Sequence, residues 1–348
     1  MNLAHWLGIR HPVLQAPMAG VQGHAMAAAV CHAGGLGSVP AAMLSPTALA
    51  DELTALARAT SAPYNVNFFC HTPPEADESR EAAWRAALAP AYEEAGVDPG
   101  TITGGPGRAP FSHEIADIVE PFRPAVVSFH FGLPAADLLA RVKAWGSKVL
   151  ASATTVEEAR WLEANGADAI IAQGLEAGGH RGHFLNEDLT VQLGSIALWP
   201  AVVQAVKLPV IAAGGIADSA GVRAAKALGV DGVQVGTSYM LCHEALTSPW
   251  HRAALQSNAP TALTRLFTGR PARGIVNRLM RDLGPLNPVA PAFPLATGAL
   301  APLRAWAERQ GRGDFTPLWS GQNRSGCRET SAAEVTQMLA DGWASGPG

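Results

Sequence analysis

Short apolar runs alternate with alanine-rich segments along most of the chain. Eight of these runs have the length and composition of buried strands, at residues 13–16, 36–39, 64–69, 126–131, 148–152, 169–173, 209–213 and 232–235. Between them lie stretches that predict helices, such as 46–60, 134–145, 155–165 and 219–228. Strands that alternate with helices in this way are typical of βα units around a parallel sheet, so the predicted fold class is α/β.

The number of units favours a (β/α)8 TIM barrel over an open, doubly wound sheet. An open sheet that binds a dinucleotide usually has a GxGxxG turn directly after its first strand. Here the first predicted strand runs into residues 16–20 (APMAG), and the glycine-rich stretch 34–37 (GGLG) precedes a strand instead of following one. The barrel is therefore the predicted architecture.

Two regions exceed a minimal barrel, which has roughly 250 residues. Residues 71–110 follow the third strand and predict an insertion that ends in the Gly/Pro-rich run 104–110. Residues 257–348 are rich in proline and contain helical stretches at 299–310 and 331–343. We predict an (β/α)8 barrel over 1–256 and a small, mainly helical cap over 257–348 that packs on it.

The amino-acid composition is that of a compact globular protein and argues against several kinds of binding partner. Hydrophobic residues make up 48% of the 348 residues and charged residues 16%, which is typical of a well-buried globular protein. The net charge of −4 and the lack of a long charged run argue against a nucleic-acid or membrane-surface partner. With no secretory signal and no long apolar run apparent, we expect a cytoplasmic protein with reduced, unpaired cysteines.

Two glycine turns indicate a phosphate site. Gly214 and Gly215 follow the seventh predicted strand, while Gly236 and Thr237 follow the eighth. The loops after these two strands commonly bind phosphate in barrels, because glycine lets backbone N–H groups approach oxygen anions and Thr237 adds a hydroxyl donor. The same glycines could serve only as tight turns, and a phosphate site alone does not distinguish a flavin nucleotide from a sugar phosphate.

Polar residues at the ends of other strands are candidates for cofactor binding and catalysis. Asn67 interrupts an apolar strand, and the amide of Gln173 could either reach a cofactor edge or cap the following loop. His130 ends the fourth strand and His180 lies in a glycine-rich loop, where either could move a proton at neutral pH. His183 follows His180 by three residues, but no further ligand stands at metal-binding spacing, so we predict no metal.

Taken together, the motifs resemble those of the nitronate monooxygenases, formerly called 2-nitropropane dioxygenases. The resemblance rests on residues 15–20 (QAPMAG), 66–69 (VNFF), 176–182 (EAGGHRG), 212–216 (AAGGI), 234–237 (QVGT) and 315–322 (FTPLWSGQ). It covers essentially the whole chain. It implies an FMN-containing barrel without a metal that oxidises nitronates or nitroalkanes with O2 to carbonyl compounds and nitrite.

The resemblance also implies a role for each candidate residue. His180 would act as a base on a nitroalkane or hold the nitronate, and His130 would be a second polar group over the flavin. The predicted FMN-binding residues are Ala16, Pro17, Met18, Asn67, Gln173, Gly178, Gly179, Gly214, Gly215, Gln234, Val235, Gly236 and Thr237.

The chain departs from the family's best-studied branch, which has tyrosines and a lysine around its pocket. It contains only three tyrosines, Tyr64, Tyr92 and Tyr239, and has Phe293 and Trp306 in its C-terminal stretch. Three alternatives stay open. One is an FMN-dependent NAD(P)H reductase of the enoyl-acyl-carrier-protein or quinone type. Another is a flavin-free lyase or isomerase that uses the glycine turns for a sugar phosphate. The third is a flavin store without catalytic activity, which would not need His130 and His180.

Overall fold

Eight parallel strands form a barrel in the computed structural model of the protein, which describes residues 2–102 and 108–345. The strands of the molecule are β1 (Val13–Gln15), β2 (Gly37–Pro40), β3 (Tyr64–Phe69), β4 (Val126–His130), β5 (Lys148–Ala153), β6 (Ala169–Gln173), β7 (Gly179–His180), β8 (Val210–Ala213), β9 (Gly232–Val235), β10 (Thr261–Thr264) and β11 (Ala272–Ile275). The barrel order is β1-β9-β8-β6-β5-β4-β3-β2, and a bridge between Leu14 and Leu36 brings β1 back to β2. The predicted fold class is confirmed.

The helices are α1 (Leu3–Leu7), α2 (His24–His32), α3 (Pro46–Ala59), α4 (Glu78–Ala95), α5 (His113–Val119), α6 (Ala136–Ala144), α7 (Val156–Ala164), α8 (Ser195–Ala205), α9 (Ser219–Ala227), α10 (Pro249–Gln256), α11 (Arg278–Leu283), α12 (Ala296–Glu308) and α13 (Ala332–Ala344). Several begin at a side-chain cap, as when Asp218 accepts a hydrogen bond from the Gly221 N–H. In the described ranges no helix has both the length and the apolar character needed to span a membrane.

Apolar side chains close the barrel at its amino-terminal end. Leu3 and Leu7 of α1 pack against inward-facing residues such as Leu14, Leu150 and Ile211. Burying each of these leucines contributes about 2 kcal/mol. Because this end is filled, a cavity can form only toward the carboxyl ends of the strands, which is also where barrel enzymes carry their chemistry.

The insertion and the C-terminal segment share one apolar core. Trp84 and Tyr92 of α4 are buried and donate hydrogen bonds to the carbonyls of Ala296 (3.1 Å) and Ala299 (2.7 Å) at α12. Residues that lie far apart in the chain are thus joined over the mouth of the barrel. Residues 103–107, which belong to the predicted insertion and to its Gly/Pro-rich run, lie outside the described residues.

The C-terminal segment contains more than the helices that its sequence predicts. β10 and β11 form an antiparallel hairpin, and β11 also pairs with the two-residue β7, so that Ala272 lies opposite His180. The last helix, α13, packs on α2 and α9, where the Ser219 hydroxyl donates to the Met338 carbonyl at 2.6 Å. Residues 332–344 therefore complete the outer ring of barrel helices instead of joining the cap.

Candidate active site

One cavity at the carboxyl ends of the barrel strands brings all the predicted site residues together. Its lining includes Ala16, Pro17, Met18, Asn67, His130, Gln173, Gly178, Gly179, His180, Gly214, Gly215, Gln234, Val235, Gly236 and Thr237. The barrel places them there because each lies in the carboxyl-terminal half of a parallel strand or in the loop that follows it. Val235 contributes through its backbone, since its side chain is buried in the apolar core.

At one end of the cavity the backbone forms what we call the glycine cradle, which consists of Gly214, Gly215, Gly236 and Thr237. Gly214 and Gly215 have φ angles of 106° and 75°, which residues with a Cβ rarely adopt. Within residues 2–102 and 108–345, the N–H groups of Gly215, Gly236 and Thr237 have no hydrogen-bond acceptor. Unpaired N–H groups at the side of a cavity suit an oxyanion such as phosphate.

The Thr237 hydroxyl completes the cradle. Its Oγ1 accepts a hydrogen bond from the Gly321 N–H at 3.0 Å, so its own proton remains available to a ligand. The Asn323 amide donates to the Gly215 carbonyl at 3.0 Å. The C-terminal segment therefore holds the cradle from outside.

Ser320 and Gly321 form a wall of the cavity that the site prediction missed. A Cβ at Gly178 would lie only 2.4 Å from the Gly321 nitrogen, so the two backbones touch and position 178 must be glycine. Residues 315–322 supported the family resemblance, but the sequence did not indicate that part of this stretch returns to the cavity.

Three amides surround the middle of the cavity. The Asn67 Nδ2 donates to the Ser128 hydroxyl at 2.9 Å. Gln173 is bonded at both ends of its amide, because Nε2 donates to the His180 carbonyl (3.0 Å) and Oε1 accepts from the Gly182 N–H (2.8 Å). Of the two roles open for Gln173, the structure supports capping of the loop that carries His180. Gln234 is half-buried in the lining.

At the other end of the cavity, His180 lies in what we call the aromatic cage, formed by Phe69, Phe131, Phe293 and Trp319. The centroids of these rings lie 5.3 to 6.1 Å from that of His180. Burial lowers the pKa of His180 well below its usual value, and the charge of Arg108 lowers it further. The imidazole is therefore neutral at pH 7.

One ring nitrogen of His180 is bonded to Thr268. Its Nε2 lies 2.9 Å from the Thr268 hydroxyl oxygen, and that hydroxyl also lies 3.5 Å from the Arg270 carbonyl. Either the ring or the hydroxyl can donate in the shorter contact, so this geometry is open to both neutral tautomers. The contact leaves Nδ1 for a ligand, as a proton acceptor in one tautomer and as a donor in the other.

His130 contacts the backbone of the loop that carries His180. Its Nε2 bonds to the His180 carbonyl at 3.2 Å, and burial lowers its pKa to about 3. A neutral His130 helps to fix the backbone of His180. In the described part of the chain, no three His, Cys, Asp or Glu side chains are grouped so that they could hold a metal ion.

Arg108 is the second feature that the sequence analysis missed. It lies at the edge of the insertion, lines the cavity and has its guanidinium carbon 5.8 Å from the Phe293 ring centroid. An isolated arginine in a Gly/Pro-rich run gives no sequence signal for a site. Its position depends on the contact between the insertion and the C-terminal segment.

The three tyrosines do not contribute to the cavity. Tyr64, Tyr92 and Tyr239 are all buried elsewhere, and Trp306 packs near Phe315. Phe293, by contrast, belongs to the aromatic cage. The C-terminal segment thus supplies apolar rings to the site.

Comparisons with known proteins identify the family of the chain. The nitronate monooxygenase family model matches residues 2–342. A nitronate monooxygenase of Pseudomonas aeruginosa is 42% identical over 96% of this chain and 97% of its own length. One of Paraburkholderia phytofirmans is 40% identical, and the match covers 96% of this chain and 92% of the relative.

Solved structures give the same result. The nitroalkane oxidase of Streptomyces ansochromogenes superposes with a TM-score of 0.89 at 36% identity, and the match covers 98% of both chains. FabK of Thermotoga maritima has a TM-score of 0.73 at 24% identity, over 98% of this chain and 95% of FabK. The second similarity extends to the fold alone.

Proposed function

The chain belongs to the nitronate monooxygenase family and is an oxidoreductase; from this premise we propose that it binds FMN and oxidises alkyl nitronates, such as propionate 3-nitronate, with O2 to a carbonyl compound and nitrite. The observation that carries the proposal is the pairing, in one cavity, of the glycine cradle with a neutral His180 in an apolar cage. The cradle suits the phosphate of a flavin nucleotide, and the cage with its neutral histidine excludes water from a small substrate.

The glycine cradle fits FMN by the chemistry of its donors. The N–H groups of Gly215, Gly236 and Thr237 are unpaired within the described residues, and the Thr237 proton is free. These groups would bind the phosphate, while Asn67 and Gln234 offer amides to the polar edge of a ring. When bound, the flavin supplies the electron chemistry: it accepts electrons from the substrate and passes them to O2.

His180 favours a nitronate that is already ionised over a neutral nitroalkane. A low pKa makes Nδ1 a weak base, so proton removal from a nitroalkane is slow, whereas a nitronate needs no base. Because Nε2 is bonded to Thr268, Nδ1 is the ring nitrogen left for the substrate. Nδ1 accepts the proton of a nitroalkane when it carries the lone pair, and it donates to a nitronate oxygen when it carries the ring proton. His180 therefore orients either form and acts as a base only for the neutral one.

The aromatic cage keeps the reacting atoms dry. Phe69 and Phe131 lie 4.8 Å apart between ring centroids, and Phe293 lies 5.5 Å from Phe131. Phe131 adopts a φ of 71°, a strained conformation for a residue other than glycine, and the Arg270 guanidinium stacks 4.0 Å above its ring. Apolar walls strengthen charge interactions inside the cavity because they exclude water.

Turnover in air tests the proposal. The protein, purified with excess FMN, is mixed with propionate 3-nitronate or with 3-nitropropionate while oxygen uptake and nitrite are followed. We expect both signals with the nitronate and a much slower reaction with the neutral nitro form. Oxygen uptake that requires NADH, or nitrite formation by free FMN at the same rate, would contradict the proposal.

A further inference from the structure

Arg108 is the single formally charged side chain among the described residues that line the cavity. No aspartate or glutamate of those residues lines it, and both lining histidines have strongly lowered pKa values. Arg108 also forms no ion pair in residues 2–102 and 108–345, and the remaining residues contain no aspartate or glutamate. A half-buried cation without an anion is costly unless a ligand supplies the opposite charge.

The neighbours of Arg108 fix its position without neutralising it. Its Nη1 donates to the Thr297 hydroxyl at 3.1 Å, and its Nη2 lies 3.8 Å from the Met43 sulfur. The Phe293 ring lies below the guanidinium. These contacts use only part of the five N–H donors, so a bidentate pair of donors remains for an oxyanion.

Phe293 connects Arg108 with the reacting end of the cavity. The ring centroid of Phe293 lies 5.3 Å from that of His180 and 5.8 Å from the Arg108 guanidinium carbon. The charge of Arg108 acts on His180, whose pKa it lowers. Arg108 therefore belongs to the substrate end of the cavity, whereas the donors suited to phosphate belong to the glycine cradle.

We propose that Arg108 is a specificity-determining residue that binds the carboxylate of a substrate whose nitronate group lies at His180. This inference rests on the proposed function and deepens it, since it assigns the second anionic group of the substrate to a named side chain. A short substrate with a carboxylate at one end and a nitronate at the other, such as propionate 3-nitronate, then binds through both groups. A simple alkyl nitronate lacks the carboxylate and binds through the nitronate alone.

The test compares ligands that differ in the carboxylate. For binding, 3-nitropropionate and 1-nitrobutane are titrated into the FMN-loaded protein and Arg108→Met by calorimetry. For turnover, kcat/KM is measured with propionate 3-nitronate and butyl nitronate. We expect Arg108→Met to weaken 3-nitropropionate binding and to lower kcat/KM for propionate 3-nitronate by about 100-fold. The affinity for 1-nitrobutane and the kcat/KM for butyl nitronate should each change by less than about threefold.

Two further variants separate charge from structure. Arg108→Lys keeps the positive charge but loses the planar guanidinium that can bind a carboxylate through two N–H groups. Its affinity for 3-nitropropionate should therefore lie between those of the wild type and Arg108→Met. Arg80→Met is the matched control, because the Arg80 Nη2 also joins the insertion to the C-terminal segment, at the Pro288 carbonyl (3.1 Å), but does not line the cavity. This control should leave both ligand classes unchanged.

Several results would overturn the inference. Equal losses for the two ligand classes would mean that Arg108 only supports the fold of the cavity. Loss of FMN from Arg108→Met would assign the arginine to the cofactor. Absence of 3-nitropropionate binding to the wild type would also refute it. If no nitronate is oxidised but the carboxylate preference in binding depends on Arg108, the proposed reaction fails and the assignment of Arg108 stands.

Discussion

The two ends of the cavity are built in different ways. The glycine cradle consists of backbone groups from two consecutive barrel strands, β8 and β9, and of one hydroxyl. The substrate end consists of side chains from distant segments: His180 from a loop, Arg108 from the insertion and Phe293 from the C-terminal segment. The cradle thus depends on backbone conformation, and the substrate end on tertiary packing.

This difference in construction indicates that one end of the cavity can change while the other keeps its binding groups. Replacing a side chain at the substrate end alters which molecule fits there, while the donors of the cradle stay in position. If the proposed function is right, a change of backbone conformation in the cradle should remove FMN and with it every reaction. The predictions below separate the two ends, beginning with the largest effect.

Gly215→Val should abolish FMN retention. A side chain at φ 75° is strained, so valine should move the backbone out of the conformation that presents the Gly215 N–H to a phosphate. We expect a colourless protein and FMN affinity lowered by more than about 100-fold, measured by fluorescence titration.

Gly229→Val is the matched control for this strain. Gly229 has a φ of 89°, and its added Cβ would lie 3.5 Å from Val203, far from the cavity lining. This variant should lose similar stability in thermal unfolding and keep FMN. Retention of FMN by Gly215→Val would mean that the cradle is only a pair of turns.

His180→Asn should leave FMN bound and separate two substrate classes. Loss of the base slows neutral nitroethane by about 100-fold in kcat/KM, whereas ethyl nitronate needs no proton removal and should slow by less than about tenfold. Steady-state oxygen uptake with both substrates measures the ratio. Identical losses on both would remove the general-base role from His180.

Thr237→Val should weaken FMN binding by about tenfold, because one charge-assisted hydrogen bond is lost from the cradle while the backbone donors remain. Ser238→Ala is its control, since the neighbouring Ser238 hydroxyl donates to the Ala217 carbonyl at 3.0 Å, outside the cavity. Comparable affinity in the two variants would exclude Thr237 from phosphate binding.

The apolar substrate end should also give the protein a pH-dependent stability. Burial lowers the pKa of His71 from 6.5 to about 4 and outweighs a backbone contact with Arg108 that raises it. Between these values the unfolded chain binds the proton and the folded chain does not, so stability falls as the pH falls from about 6.5 to 4.

His71→Phe should reduce that dependence, because the ring keeps its place 4.8 Å from the Phe293 centroid without a titratable group. From pH 6 to pH 5, we expect the free energy of unfolding in urea to fall by about 1 kcal/mol less in the variant than in the wild type. An unchanged slope would indicate that His71 is solvated.

The sequence predicted the features that depend on neighbouring residues and missed those that depend on contacts between distant segments. The eight strands, the glycine turns and the two histidines depend on short-range patterns, which is why all predicted site residues share one cavity. The β10–β11 hairpin was missed because residues 261–275 combine polar residues with glycine and proline in no clear alternation. Arg108 was missed because its location depends on α4 packing against α12. No local pattern encodes such a contact.

The most direct test of the central claim, that the cavity holds FMN and that a nitronate reduces it, is an anaerobic absorbance spectrum. The protein is purified with excess FMN, freed of unbound cofactor and mixed without oxygen with propionate 3-nitronate or with NADH. We predict a yellow protein whose flavin absorbance falls with the nitronate and stays unchanged with NADH. A colourless protein, or bleaching by NADH alone, would contradict the account.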